Sequence, residues 1–285
     1  MKVVPHVIPY QGSKRKLAND ILGYVEKLDI DRFYEPFAGS AAVTLAAAAR
    51  QSANRYIIGD KYHNLMKLWD MIINNPYEVS AQYSKLWYEQ LGEPNEYFIK
   101  IREEFNADSD PVKLLYLMAR CVKNAIRFNS SGEFNQSQDK RRLGTKPDKI
   151  HKNLIQVSEL LREQVELFSG DFRELTKQAS QNDFVYMDPP WQGTSTARDP
   201  RYAYILDLQS LVDEMENMNV KGVHYVLSFD GVCGEKSYGK ELPSSLNLKK
   251  IMLKAGRSSQ ATLLGRDDET FESLYLSPAL AKKIF

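Results

Sequence analysis

The sequence predicts an α/β fold whose parallel sheet carries a functional site at the carboxyl ends of its strands. Strand-like apolar runs alternate with helical patterns up to residue 75 and again after residue 152, which is typical of βαβ units. Several of these runs end in a carboxylate, and ligands of open α/β sheets bind beyond the carboxyl ends of the strands. Residues 76–152 interrupt the alternation with helical patterns, which predicts an insertion or, alternatively, an extension of the core.

The clearest predicted strand is Phe184–Met187, four apolar residues that run directly into a carboxylate, two prolines and an indole. Proline has no N–H group, so carbonyl oxygens in this turn stay available as hydrogen-bond acceptors. A carboxylate, a free carbonyl and an aromatic face suit a flat ring with an exocyclic amino group, such as a flipped-out nucleobase. An ordinary turn at the sheet edge is the alternative. The residues concerned are Asp188, Pro189, Pro190 and Trp191.

The first βαβ unit predicts a cofactor that contains a nucleoside. One strand ends at Glu35 and leads into a glycine turn at Gly39 and an alanine-rich helix, and the next strand ends at Asp60. Asp60 lies 21 positions after Gly39, the spacing at which an acidic residue binds ribose hydroxyls in dinucleotide folds. The GxGxxG triplet that approaches a pyrophosphate is absent from the sequence. Adenosine joined to an amino acid therefore fits this unit better than NAD does.

Hydrophobic spacing predicts the remaining elements. Ser13 is predicted to cap a helix after the polar turn at residues 10–14, where the N–H groups could also receive an anion. Helices are predicted at residues 64–75, 111–125 and 152–162 and from residue 208, with a turn or hairpin at 127–135. Strands are predicted at 165–168, which leads into Asp171, and at 223–229, 248–253 and 271–276.

Length and composition indicate a soluble globular protein. The 285 residues are 43% hydrophobic and 26% charged, and no apolar run is long enough to span a bilayer. The first residues do not have the pattern of a signal peptide. Cys121 and Cys233 belong to no CxxC or Cys/His pattern, so we expect neither a disulfide framework nor a metal site. A cytoplasmic protein without a membrane partner is expected.

The distribution of charge favours a nucleic acid partner. Between Arg120 and Lys152 there are nine basic and three acidic residues, whereas the whole chain has a net charge of +1. A basic stretch in a chain that is acidic elsewhere is typical of contacts to phosphates. The alternative is a charged surface that is merely solvated.

Five motifs follow one another along the chain. They lie at residues 9–14, 35–40, 127–135, 170–172 and 188–191. Together they resemble the N-terminal motif, the cofactor loop, the RxNxxGxFN segment, the adenine-contacting carboxylate motif and the DPPY motif of the Dam-type, D12 class of DNA N6-adenine methyltransferases. Their order, a cofactor motif before a target-recognition insertion before a catalytic motif, is that of the α group of the family.

The resemblance implies a Rossmann-like S-adenosylmethionine-dependent methyltransferase sheet formed by residues 1–75 and 153–285. Residues 76–152 would be a mostly helical target-recognition domain. The implied reaction transfers a methyl group from S-adenosyl-L-methionine to N6 of a flipped-out adenine in double-stranded DNA. The family further implies a bacterial or phage-encoded, nucleoid-associated enzyme. It would belong to a restriction-modification system with a cognate restriction endonuclease, or act as a solitary methylase.

The resemblance also assigns roles to single residues. Asp188 and the Pro189 carbonyl would accept the amino hydrogens of the target adenine, and Trp191 would stack on its ring. Glu35, Asp60 and Asp171 would contact the methionyl end, the ribose and the adenine of the cofactor. The implied catalytic residues are Asp188, Pro189, Pro190 and Trp191. The implied cofactor-binding residues are Tyr10, Gly12, Lys14, Glu35, Pro36, Phe37, Ala38, Gly39, Ser40, Asp60, Asp171, Phe172 and Asp188. The implied DNA-binding residues are Arg127, Asn129, Asn135, Arg141 and Arg142.

Two departures from the family pattern stand out. Trp191 replaces the usual tyrosine, which keeps a stacking face and loses a hydroxyl, and residues 136–138 replace a VPFG segment, which leaves the DNA target open. The alternatives are an N4-cytosine, RNA or protein amide methyltransferase, or a nucleic-acid-binding relative that has lost catalysis. An aspartate before the two prolines disfavours the other substrates, and the intact acidic strand ends disfavour the inactive relative.

Overall fold

The computed structural model describes residues 3–190, 206–233, 236–238, 242–257 and 269–285. Its strands are β1 (Arg32–Glu35), β2 (Arg55–Asp60), β3 (Val165–Ser169), β4 (Phe184–Met187), β5 (His224–Cys233), β6 (Lys236–Tyr238), β7 (Lys249–Arg257) and β8 (Glu269–Leu276). They form one sheet in the order β3-β2-β1-β4-β5-β8-β7, with β6 paired to β5. The first five strands are parallel, and β8 runs antiparallel to β5 and β7. The predicted α/β fold with a parallel sheet is confirmed.

The strand order reverses beside β1, and this reversal determines where the predicted ligand site lies. From β1 the chain goes outward to β2 and β3 and then returns to β4 on the other side of β1. In open α/β sheets a crevice opens at such a reversal, beyond the carboxyl ends of the strands. Glu35 and Asp60 end β1 and β2 there, and Asp171 and Asp188 follow β3 and β4 closely.

Ten α-helices are described. They are α1 (Ala18–Gly23), α2 (Ala42–Ala49), α3 (His63–Asn74), α4 (Pro76–Glu89), α5 (Pro94–Asp108), α6 (Pro111–Arg120), α7 (Pro147–Leu161), α8 (Phe172–Thr176), α9 (Leu208–Val220) and α10 (Pro278–Ile284). Each of α4 to α7 has a proline in its first turn, where the missing N–H costs no intrahelical hydrogen bond. Among the described residues, no helix is both long and apolar enough to cross a bilayer.

Three of the predicted helix boundaries are wrong. The helix that begins at Pro111 ends at Arg120 instead of residue 125, because the backbone of Cys121 is extended, with φ −76° and ψ 161°. Lys123 and Asn124 then adopt positive φ values of 59° and 54°. The next helix begins at Pro147, five residues before its predicted start. Ser13 does not cap α1, which begins at Ala18. Its hydroxyl instead forms a 2.7 Å hydrogen bond with the hydroxyl of Ser40.

The sheet is covered on both faces, as the apolar sequence of β4 predicts. Phe184 and Tyr186 belong to a hydrophobic cluster on one face, while Val185 and Met187 belong to a second cluster on the other. The first cluster includes residues of α2, α3 and α7 and continues into α4, α5 and α6. The helices of residues 76–152 therefore share a core with one layer of the sheet. The division of the chain at residues 76 and 152 stays a prediction.

A shared core predicts that the helices of residues 76–152 unfold together with the sheet. Leu114 on α6 is fully buried, so Leu114→Ala should lower the free energy of unfolding by about 2–5 kcal/mol. Circular dichroism and tryptophan fluorescence should report one coincident denaturant transition. Leu91→Ala, the same change at a half-exposed leucine, should cost less than about 0.5 kcal/mol. An additional early transition in Leu114→Ala would mean that these helices unfold separately.

Candidate active site

One pocket of about 420 Å³ lies at the carboxyl ends of β1, β2 and β4. It brings together every residue that the resemblance assigned to the cofactor, although these residues span positions 10 to 188 of the chain. Its lining includes Tyr10, Gly12, Lys14, Glu35, Pro36, Phe37, Ala38, Gly39, Ser40, Asp60, Asp171, Phe172 and Asp188. Pro189 and Pro190 also line it, whereas Trp191 lies outside the described residues.

Glu35 is buried at the end of β1, where the first turn of α2 satisfies its carboxylate. The Thr44 backbone N–H and hydroxyl both donate to Glu35 Oε2, at 2.8 Å and 2.5 Å. Burial nevertheless raises the pKa of Glu35 to about 8, because the hydrogen bonds from Thr44 offset the loss of hydration only in part and Asp188 adds repulsion. Glu35 is therefore largely protonated near neutral pH and would ionise beside a cation.

Asp60 shapes the glycine turn that lines the pocket. Its carboxylate accepts hydrogen bonds from the backbone N–H of Gly39 at 3.2 Å and of Tyr62 at 2.9 Å. Gly39 has a φ of +48°, and a Cβ atom at this position would lie 3.1 Å from the Tyr10 ring. Glycine is therefore favoured here both by the backbone conformation and by the close approach of Tyr10. Burial raises the pKa of Asp60, and its backbone hydrogen bonds oppose that shift.

Asp171 lies at the pocket rim and is paired with an arginine that the sequence analysis did not single out. Arg173 Nε and Nη2 donate to the two carboxylate oxygens of Asp171 at 2.8 Å and 3.2 Å. Mainly for this reason, the pKa of Asp171 is below its usual range. The neighbouring rings of Phe37 and Phe172 have centroids 5.0 Å apart and provide an apolar surface. Arg173 lies only two positions after Asp171, so the sequence alone could have suggested this ion pair.

Asp188 forms an ion pair within the pocket. Its Oδ1 lies 2.9 Å from Lys14 Nζ, and Glu272 Oε2 lies 3.5 Å from the same nitrogen. Burial raises the pKa of Asp188, and the Lys14 ammonium opposes that shift. Glu272 is a pocket residue that the sequence analysis missed. No local motif marks it, because it reaches the pocket only through the position of β8 between β5 and β7.

The residues predicted to bind DNA lie outside the pocket lining. The hairpin is confirmed by a bridge between Phe128 and Phe134. Asn129 Oδ1 accepts hydrogen bonds from the backbone N–H of Ser131 and Glu133, so this side chain holds the hairpin turn. The other residues predicted to bind DNA from this region are Arg127 and Asn135 in the hairpin and Arg141 and Arg142 after it.

The two arginines after the hairpin differ in exposure and contacts. The Arg141 side chain is 82% exposed, whereas Arg142 Nη2 donates to the Cys121 carbonyl at 2.8 Å. Both pair with Asp139, and chiefly the hydrogen bond from Arg141 lowers the pKa of Asp139 to about 2. Arg141 is thus the more accessible of the two for a phosphate, while Arg142 also supports the local fold.

Residues 10–255 match the family of D12 class N6 adenine-specific DNA methyltransferases. The chain belongs to this family. It is an adenine-specific DNA methyltransferase that uses S-adenosylmethionine as the methyl donor and DNA as the substrate. Family membership decides for adenine and against the cytosine, RNA and protein alternatives.

Relatives of the methyltransferase include two proteins named as type II enzymes. It is 29% identical over 209 residues to the type II methyltransferase M.MjaIII of Methanocaldococcus jannaschii, which covers 67% of this chain and 70% of that protein. It is 24% identical over 281 residues to the type II methyltransferase M1.LlaDCHI of Lactococcus lactis subsp. cremoris, with coverage of 93% and 94%. Among solved structures, the rRNA methyltransferase AviRa of Streptomyces viridochromogenes aligns with a TM-score of 0.44 at 14% identity, covering 98% of this chain and 91% of that one.

The pocket of the methyltransferase has the chemical groups that S-adenosylmethionine needs. Its lining includes the carboxylates of Glu35, Asp60 and Asp171, which can accept hydrogen bonds from the ammonium, hydroxyl and amino groups of the cofactor. The ring pair of Phe37 and Phe172 offers a surface for a flat base. The lack of a side chain at Gly39 lets the Tyr10 ring pack against the glycine turn in the pocket wall. Among the described residues, no group of three or more metal-binding side chains is found.

The raised pKa of Glu35 predicts a pH-dependent affinity for the cofactor product S-adenosylhomocysteine. If Glu35 ionises beside the ligand ammonium, binding releases a proton at pH values below about 8 and above the pKa of Glu35 in the complex. Affinity should therefore rise with pH between 6 and 7, by up to about tenfold per unit. This range lies below the usual pKa of an α-amino group, about 7.7–8.0, so the ligand itself stays charged.

Calorimetry in two buffers of different ionisation enthalpy measures the proton release directly. Glu35→Gln keeps the shape of the side chain and should remove both the proton release and the dependence on pH. Equal pH dependence in the parent enzyme and in Glu35→Gln would assign the effect to another group.

Proposed function

We propose that Asp188 and the Pro189 carbonyl accept the two amino hydrogens of a target adenine that is turned out of the DNA duplex. The observation that carries this proposal is the position of Asp188. It directly follows β4, has a side chain only 20% exposed, and forms part of the wall of the cofactor pocket. An acceptor pair at this position would hold the adenine amino nitrogen next to the methyl donor.

The adenine amino nitrogen is a poor nucleophile because its lone pair is conjugated with the ring. Two acceptors on its hydrogens favour a geometry in which the lone pair is localised and points out of the ring plane. S-adenosylmethionine supplies a methyl group bonded to a positively charged sulfur. As the nitrogen accepts the methyl group it becomes positive, and the Asp188 carboxylate stabilises that charge and is placed to receive the proton that leaves.

The cofactor contacts follow the three strand ends. Glu35 would bind the methionyl ammonium, Asp60 the ribose hydroxyls and Asp171 the adenine amino group. Asp60 and Asp171 already accept hydrogen bonds from the protein, from Gly39 and from Arg173. A carboxylate has about four lone-pair sites, so both can accept a further donor without losing these contacts.

Recognition of DNA would fall to residues 76–152. The basic stretch between Arg120 and Lys152 supports this, because an excess of positive charge favours contacts to DNA phosphates. Trp191 would stack on the extruded adenine, a contact worth about 1–3 kcal/mol for an aromatic side chain and a base.

In the cell, we propose a cytoplasmic bacterial or phage-encoded enzyme that protects DNA against a cognate restriction endonuclease. The relatives named type II methyltransferases support this role. A solitary methylase, associated with the nucleoid, is the alternative. Sequencing methylated bases in DNA from cells that express the protein would identify the modified site. Resistance of that DNA to an endonuclease with the same site would support the protective role.

The proposed role of Asp188 predicts a defect confined to catalysis. Asp188→Asn keeps the side-chain shape and removes the charge that stabilises the methylated nitrogen, so methyl transfer should fall by about a hundredfold or more. Binding of S-adenosylhomocysteine and DNA should change little. Asp213→Asn, the same substitution at an exposed site on α9, serves as the control. Nuclease digestion and mass spectrometry should identify the product as N6-methyladenine. Full activity of Asp188→Asn would exclude the proposed role.

The basic stretch predicts a steep dependence of DNA affinity on salt. Arg141→Ala should reduce the slope of log affinity against log salt by about one, since each phosphate contact contributes about 0.9. Arg55→Ala, at the start of β2 and therefore at the end of the sheet away from the pocket, should leave the slope unchanged. Fluorescence anisotropy between about 50 and 200 mM salt measures both slopes. Equal slopes in the parent and Arg141→Ala would place the DNA surface elsewhere.

A further inference from the structure

Lys14 is shared between two carboxylates, that of Asp188 directly after β4 and that of Glu272 on β8. Its ammonium lies 2.9 Å from Asp188 Oδ1 and 3.5 Å from Glu272 Oε2, and it donates to the Gly12 carbonyl at 3.2 Å. The Lys14 side chain is 7% exposed and that of Glu272 is 16% exposed. Water therefore screens this arrangement weakly, and each of the two ion pairs affects the other.

The ion pair with Lys14 conflicts with the proposed role of Asp188. A carboxylate that neutralises an adjacent ammonium is a weaker acceptor and stabilises a developing positive charge less well. A neutral pair of Lys14 and Asp188 would therefore contribute little to methylation of the adenine nitrogen. A second carboxylate next to the ammonium changes this balance, because two anions and one cation leave the site with a net negative charge.

Glu272 is held where it can provide that second charge. It lies on β8, opposite Gly231 of β5 and Leu253 of β7, so its backbone is fixed between two neighbouring strands. Glu272 Oε2 is buried and has no hydrogen bond at normal geometry to any other side chain or backbone group that the structure describes. The 3.5 Å separation from Lys14 is too long for a full hydrogen bond, and a small movement of the flexible lysine would close it.

We propose that Glu272 is a positioning residue that draws the Lys14 ammonium away from Asp188 when the target adenine engages Asp188. Lys14 exchanges its contact to Asp188 Oδ1 for one to Glu272 Oε2, and no covalent bond or proton needs to change. Asp188 then meets the adenine amino group as a free carboxylate. This inference rests on the proposed role of Asp188. It gives Glu272, on β8, a role in the reaction.

The other ionisable groups around the site are neutral near pH 7, because burial raises the pKa of Glu35 to about 8 and raises that of Tyr186 well above its usual value. Glu35 on β1 and Tyr186 on β4 face the same region, and the Tyr186 hydroxyl lies 2.9 Å from that of Ser228. Burial raises the pKa of Glu272, Lys14 opposes that shift, and Asp188 adds to it. Ionised Glu272 conversely makes ionisation of Asp188 less favourable. Removing the charge of Glu272 should therefore leave Lys14 on Asp188, which slows turnover, and should also lower the pKa of Asp188.

The variant Glu272→Gln tests the proposal. Lys14 would then stay on Asp188, so kcat should fall by about ten- to a hundredfold while the affinities for S-adenosylhomocysteine and DNA change less than about threefold. The acid limb of the kcat–pH profile should move to lower pH, because Asp188 loses a repelling neighbour. A purely structural defect would not combine slower turnover with an easier ionisation. Glu166→Gln, at an exposed site on β3, is the control and should change neither quantity.

Two further variants distinguish an effect of the Glu272 charge from an effect of its packing. Glu272→Asp keeps the charge and should restore part of kcat and the original acid limb. In a Lys14→Met background, Glu272→Gln should cause no additional loss, because its effect passes through Lys14. A full additional loss in that background, or a Glu272→Asp enzyme no better than Glu272→Gln, would overturn the proposal.

The Asp188→Asn variant separates a failure of the role proposed for Glu272 from a failure of the role proposed for Asp188. If Asp188→Asn is inactive while Glu272→Gln has parental kcat and pH profile, Glu272 has no such role and the role of Asp188 stands. If Asp188→Asn is fully active, the role of Asp188 fails and that of Glu272 fails with it.

Discussion

The burial of carboxylates at one edge of a parallel sheet is the constraint on which the active site depends. An ionised carboxylate without partners is too costly to bury, so each of these groups needs its own compensation. Glu35 receives it from the first turn of α2, Asp60 from backbone N–H groups of the glycine turn, and Asp188 from Lys14. α2, the Gly39 turn and the N-terminal segment each supply a partner to one of these carboxylates.

The pKa values of the acidic groups differ between the interior and the rim of the pocket. The carboxyl groups in the interior of the pocket, Glu35, Asp60 and Asp188, have raised pKa values because they have lost hydration. Asp171 at the rim has a lowered pKa because Arg173 forms hydrogen bonds with it. The interior groups therefore ionise most readily next to a cation. S-adenosylmethionine carries two positive charges, an ammonium and a sulfonium, so this interior is well matched to it.

The helices of residues 76–152 and the pocket are directly connected. The backbone N–H of Gln11 donates to the Asn124 carbonyl at 3.1 Å, and Ile126 forms part of the pocket wall. The ring of Phe128, at the base of the hairpin, lies 5.2 Å from the ring of Tyr62, another pocket residue. The left-handed conformations of Lys123 and Asn124 produce the sharp turn that brings this segment back to the pocket. The segment proposed to bind DNA is therefore in direct contact with residues that line the cofactor pocket.

The sequence by itself determined the α/β class, the strands that end in Glu35, Asp60 and Asp188, and the family to which the chain belongs. These features are local, since each depends on an apolar run and the few residues that follow it. The tertiary structure alone decided the helix end at Arg120 and the pairing of Lys14 with Glu272. Glu272 lies 258 positions after Lys14, so their contact depends on the insertion of β8 between β5 and β7. A contact of this kind leaves no pattern in the neighbouring sequence, because strand order in a sheet is set by packing of the whole chain.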